Sequence, residues 1–146
     1  MKNKKSLFSF LPILIIIFAS FSLKQTEPWK PSQLMPPADL AAIINSKTDV
    51  KPLIISVGPD ALVMGSIDIG PANDKGNLDK LKQLLAKEKK DRSIVIYCGC
   101  CPFEHCPNIR PAFALLNEMK FTNHKLLSLQ HNIKTDWINK GFPVKN

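Results

Sequence analysis

Residues 93–97, Ser-Ile-Val-Ile-Tyr, hold four successive apolar residues, three of them β-branched. A strand that is apolar at successive positions has to be buried on both faces, which is the condition of a strand inside a parallel sheet. Pro52–Gly58 (Pro-Leu-Ile-Ile-Ser-Val-Gly) has the same character and is bounded by Pro and Gly. Between these runs, Asn77–Lys90 carries Leu78, Leu81, Leu84 and Leu85 on one face and lysines on the other. This predicts an amphipathic helix with Asn77 as its cap.

The remaining elements extend the alternation. Leu40, Ile43 and Ile44 predict a helix over 39–46, and Ser66–Ile69 a short strand ended by Gly70-Pro71. Ile109, Ala112, Phe113, Leu116 and Met119 predict a helix over 109–121. Lys125–Leu129 reads as a strand and Ile133–Lys140 as a last short helix, with Gly141 at its C′ position and Pro143 beyond. Strands alternating with helices imply an α/β fold with a central, mostly parallel sheet and helices on both faces. Ligands of such sheets bind outside the carboxyl ends of the strands. The loop after Tyr97 is therefore the default site.

The chain begins with Lys2, Lys4 and Lys5, then the apolar stretch Leu7–Phe18, then the small residues Ala19, Ser20 and Ser22. That order of basic, apolar and small residues is the order of an export signal. Residues 1–22 are read as a signal peptide or an N-terminal membrane anchor, 23–37 as a proline-containing lead-in, and 38–146 as one domain. The expected location is periplasmic or extracellular, with membrane anchoring through residues 7–22 as the alternative. Export puts the cysteines where disulfides form and persist. The net charge is +8, and removing the three N-terminal lysines leaves +5. No basic stripe interleaved with aromatics is present, so nucleic acid is not expected as a partner.

All four cysteines fall within nine positions, Cys98-Gly-Cys100-Cys101-Pro-Phe-Glu-His-Cys106, and Pro107-Asn-Ile-Arg110-Pro opens the next helix. Core cysteines are ordinarily dispersed among apolar neighbours, whereas these sit with Gly, Pro, Glu and His. Cys98 follows the strand directly. Loop amides, the helix start and the charge of Arg110 are each expected to stabilise its thiolate, which is the nucleophilic form. A Cys-x5-Arg phosphatase loop is excluded, because the gaps from the four cysteines to Arg110 are eleven, nine, eight and three residues. Cys98-Gly-Cys-Cys101 has the C-x-x-C spacing of dithiol redox sites. Cys100, Cys101, His105 and Cys106 are an alternative soft-metal set for Zn or Cu. A Cys101–Cys106 disulfide is expected to tie the long loop, leaving Cys98 as the reactive thiol. Trp137 and Tyr97 are expected to pack, and His124 and His131 to lie on the surface.

Tyr97-Cys98 after an Ile/Val strand, Arg110-Pro-Ala-Phe-Ala-Leu-Leu, Met119-Lys-Phe121, Leu126–Leu129 and Trp137-Ile-Asn-Lys-Gly141-Phe-Pro143-Val144 resemble the second half of a rhodanese domain. Gly65-Ser-Ile-Asp-Ile-Gly-Pro-Ala72 is similar to an earlier segment of that family, and the resemblance covers roughly residues 31–146. It implies a rhodanese-like α/β fold and a sulfurtransferase, or sulfane-sulfur carrier, working without a cofactor. The partners it implies are a small anionic sulfur donor and a thiol or cyanide acceptor. By position, Cys98 carries over as the persulfide cysteine and Arg110 as the arginine closing the loop. Cys100, Cys101 and Cys106 are then accessory or resolving thiols. Eleven residues separate Cys98 from Arg110 where the family has about four, and Ser56-Val57-Gly58 stands where the family has Asp-x-Arg.

Overall fold

The computed structural model describes residues 26–145. The segment read as an export signal lies outside them. Five strands form one sheet: β1 (Leu34–Met35), β2 (Leu53–Ser56), β3 (Ile67–Asp68), β4 (Ile94–Tyr97) and β5 (His124–Leu127). Their order is β1-β5-β4-β2-β3, and every pairing is parallel. The expected α/β architecture is the observed one, with the Ile-Val-Ile-Tyr strand at the centre.

Among the described residues, four helices cover the sheet: α1 (Pro37–Asn45), α2 (Lys75–Leu85), α3 (Ile109–Glu118) and α4 (Ile133–Asp136). Strand parity decides which face each side chain joins. Ile94, Ile96 and Cys98 point into the core formed with Leu81 and Leu85 of α2 and Ile109, Ala112, Phe113 and Leu116 of α3. Val95 and Tyr97 point the other way, against Leu40, Ala41 and Ile44 of α1 and against Trp137. Trp137 is fully buried, and its indole N–H donates to the Pro143 carbonyl at 2.9 Å. Gly141 adopts φ 69°, which is the left-handed conformation expected of it.

Several boundaries move. The amphipathic helix starts at Lys75 and ends at Leu85, and its cap is Asp74, whose carboxylate accepts from the Asn77 amide. Lys87–Lys90 falls outside it, because Lys87, Glu88, Lys89 and Lys90 offer no apolar face to bury. The last helix splits into α4 and a 3-10 turn at Ile138–Lys140, so that Trp137 can turn inward. The proline-containing lead-in is also more than a lead-in. Pro31–Gln33 is a 3-10 turn, Leu34–Met35 is an edge strand of the sheet, and Trp29 is buried against Phe103 and Phe113. The folded unit therefore includes residues before 38. His124 is buried rather than on the surface. It packs on Phe113 and contacts Asn117 and Gln33 through Nε2, while burial lowers its pKa and keeps it neutral.

Candidate functional site

β4 carries the chain straight into the cysteine loop at the carboxyl end of the sheet. Two backbone hydrogen bonds anchor that loop. The Ile133 amide donates to the Gly99 carbonyl at 2.9 Å, which ties the loop to α4. The Phe103 amide donates to the Leu129 carbonyl at 3.0 Å, just past β5, and the Phe103 ring is buried. A 3-10 turn over Phe103–His105 then reverses the chain towards α3.

This path folds the sulfurs together. Cys98 Sγ lies 3.2 Å from Cys100 Sγ. Cys100 Sγ lies 3.3 Å from Cys101 Sγ and 4.0 Å from Cys106 Sγ. Cys98 and Cys106 are buried, Cys101 is half-buried, and Cys100 is exposed at the mouth. All four are free thiols. The contacting pairs centre on Cys100, and the expected Cys101–Cys106 pair is not among them. Cys106 turns inward to Cys98 and Cys100, because the 3-10 turn puts it beside the strand end rather than across the loop tip.

Asn108 is the residue that sequence reasoning overlooked. It occupies the N-cap position of α3, where an Asn side chain ordinarily accepts a hydrogen bond from the first turn. Here it makes no such bond. It is buried, its Nδ2 donates to Cys98 Sγ at 3.4 Å, and its Oδ1 accepts from the Asn73 amide at 3.2 Å. An Asn directly before the first helical residue, beside a cysteine cluster, was the only signal available. Gly58 is the other such residue. A Cβ placed on it would stand 2.8 Å from Cys98 Sγ and 3.2 Å from Cys98 Cα. The chain end of β2 therefore forms a close wall against the thiol, possible only without a side chain.

These neighbours set the electrostatics. The Cys98 pKa is lowered to about 5. The strongest cause is hydrogen bonding with the Cys106 thiol, opposed by burial and reinforced by Asn108 Nδ2, the Cys100 amide and the Cys100 thiol. Cys106 is pushed up by that same bond and by burial. Burial, followed by hydrogen bonding with the Cys98 and Cys101 sulfurs, pushes Cys100 up to about 12. One anion is shared by the cluster, and it resides on Cys98. A buried thiolate with several donors is a nucleophile at neutral pH.

Arg110 does not supply that stabilisation. Its guanidinium donates to Glu27 Oε1 at 2.6 Å and to the Glu104 carbonyl at 2.7 Å, and it stacks 5.6 Å from the Trp29 ring. Its hydrogen bonds tie the loop tip to the lead-in instead. His105 is exposed and lies outside the convergent sulfurs. The expected metal-ligating set is corrected accordingly. Among the described residues, Cys98, Cys100 and Cys106 converge, with all three sulfurs within 4.8 Å of one another.

No protein-family model matches the chain, and no curated protein matches it. Among solved structures, it is similar to the BH2092 protein from Bacillus halodurans, with a TM-score of 0.56 and 18% identity. The likeness covers 79% of this chain and 77% of that one. It supports the fold: a parallel α/β sheet flanked by helices, consistent with a rhodanese-like architecture.

Proposed function

We propose that the protein is a sulfurtransferase or sulfane-sulfur carrier of rhodanese type, working outside the cytoplasm. Cys98 attacks the sulfane sulfur of a small anionic donor, such as thiosulfate. The S–S bond of the donor breaks, sulfite leaves with the bonding pair, and Cys98 holds the sulfur as a persulfide. A thiol or cyanide acceptor then attacks the outer sulfur and releases the Cys98 thiolate. The observation that carries this reading is the stabilised thiolate at the carboxyl end of the central strand, with Asn108 Nδ2 and the Cys100 amide directed at it. A low leaving-group pKa also favours the second step.

Intact-mass measurement after incubation with thiosulfate tests the proposal. The expected product is the chain plus one sulfur, reversed by cyanide with formation of thiocyanate, and absent in Cys98→Ser. Wild-type protein that never gains a sulfur from thiosulfate or from a persulfide donor would sink it. The 3.2 Å contact between Cys98 and Cys100 favours a second reading, dithiol redox chemistry. That reading predicts loss of two hydrogens instead, with Cys98 linked to Cys100.

A further inference from the structure

The convergence of three sulfurs goes beyond what sulfur transfer requires, since a persulfide carrier needs one thiol. We propose that Cys98, Cys100 and Cys106 form a three-coordinate thiolate site for a soft monovalent cation of the Cu(I) class.

The geometry fits that coordination. With metal–sulfur bonds of about 2.3 Å, three sulfurs around a trigonal ion stand about 4 Å apart. The observed separations are 3.2 Å for Cys98–Cys100 and 4.0 Å for Cys100–Cys106, and all three pairs lie within 4.8 Å. A shift of less than an ångström at the exposed Cys100 brings both of its separations to about 4 Å, and Cys100 is the ligand whose surroundings allow such movement. Cys98 and Cys106 are held by the sheet and the core, packed with Phe103 and Ile109.

Donor chemistry narrows the metal. An all-sulfur set selects soft ions, and structural zinc sites take four protein ligands. Among the described residues no fourth sulfur joins the set. Cys101 touches Cys100 at 3.3 Å but stands outside the convergent three, and His105 is exposed. The Asn108 amide held against Cys98 Sγ is an outer-shell hydrogen bond of the kind that orients a metal-bound thiolate. Binding is ligand exchange without change of oxidation state: three copper–sulfur bonds form, bonds to the delivering ligand break, and thiol protons pass to solvent. The half-buried Cys101, in contact with Cys100, is placed to act as the landing ligand at the mouth.

The test is an anaerobic titration of the reduced protein with Cu(I) against a chromophoric Cu(I) chelator. One Cu(I) per chain is expected, with Cys100→Ser and Cys106→Ser each weakening binding by about tenfold or more. Because Cys106→Ser removes a core group, the wild type is also mapped by thiol alkylation with and without Cu(I). Loading should protect Cys98, Cys100 and Cys106 and leave Cys101 reactive. Unaltered binding in both serine variants, loss of copper in His105→Ala, protection confined to Cys100 and Cys101, or tighter binding of Zn(II) than of Cu(I) would each overturn the proposal. Wild type that binds copper but never gains a sulfur removes the sulfur-transfer reading alone. Wild type that gains a sulfur but binds no copper removes the metal site alone.

Discussion

The two ends of the sheet differ in what they offer. At the amino end, between the carboxyl end of α1 and the starts of β2 and β4, lies an open cleft of about 770 Å³ lined by Ala42, Ile43, Ser46, Val50, Pro52 and Ser93 among others. No thiol is among its lining residues. Its charges, Lys47 and Asp49, belong to exposed residues. At the carboxyl end four sulfurs, a buried amide and a side-chain-free wall crowd together. The lesson is that volume marks where packing is incomplete, whereas chemistry sits where buried polar groups are held against one another. In a parallel sheet that place is the carboxyl edge.

The largest effect that sharpens this contrast is expected from Gly58→Ala. A Cβ at 2.8 Å from Cys98 Sγ has to displace the sulfur or the strand end. Overpacking of this kind costs about 1–3 kcal/mol. Denaturant unfolding should show that loss, and alkylation of Cys98 should change in rate. Unaltered stability and reactivity would mean the wall is softer than its backbone contacts indicate.

Asn108→Ala comes next. In metal-free protein the Cys98 thiolate persists above about pH 5 and is lost as pH falls through that value, so its alkylation rate should inflect there. Removing a hydrogen bond to a charged group costs about 1.5–3 kcal/mol, and about 1.4 kcal/mol corresponds to one pKa unit. The inflection in Asn108→Ala should therefore move upward by about one unit. An inflection that stays in place would assign the stabilisation to the thiols alone.

Arg110→Ala should be milder. Its pairing with Glu27 is partly exposed, and such pairs contribute up to about 1 kcal/mol. Calorimetry should register a small loss of stability, while the Cys98 inflection stays near its wild-type pH. A large upward shift would restore the role expected of this arginine from sequence. The smallest effect belongs to the amino-end cleft. Val50 is 78% exposed, so Val50→Ser should change stability by no more than about 0.5 kcal/mol and leave sulfur loading untouched. A loss of loading there would erase the distinction between the two ends.

Much of the fold was legible because it rests on local pattern. The apolar run at 94–97, the leucine face of Leu78–Leu85 and the Gly141–Pro143 stop each reflect burial or backbone constraints confined to a few residues. The lead-in was not legible. Four prolines between 27 and 37 read as punctuation, and only the docking of Leu34–Met35 on β5 and of Trp29 on Phe103 shows that the segment completes the sheet and core. Asp74 was passed over as a cap in favour of Asn77, although the two meet in one hydrogen bond. His124 looked polar in sequence, and a long-range stack on Phe113 buries it.

The sequence by itself determined that four cysteines follow the central strand within nine positions, because the apolar run and the cysteine cluster are both local facts. Alternation along the strand also puts Cys98 on the face of Ile94 and Ile96, while the docking of α2 and α3 decides what covers that face. Tertiary structure alone decided which cysteines converge and which are buried. The 3-10 turn at Phe103–His105, anchored on Leu129, brings Cys106 back to the strand end and leaves His105 outside. Gly58 and Asn108, from β2's end and α3's start, meet the same sulfur across 40 and 10 positions of chain. Pairings of that kind depend on how elements dock, and no local pattern encodes the docking.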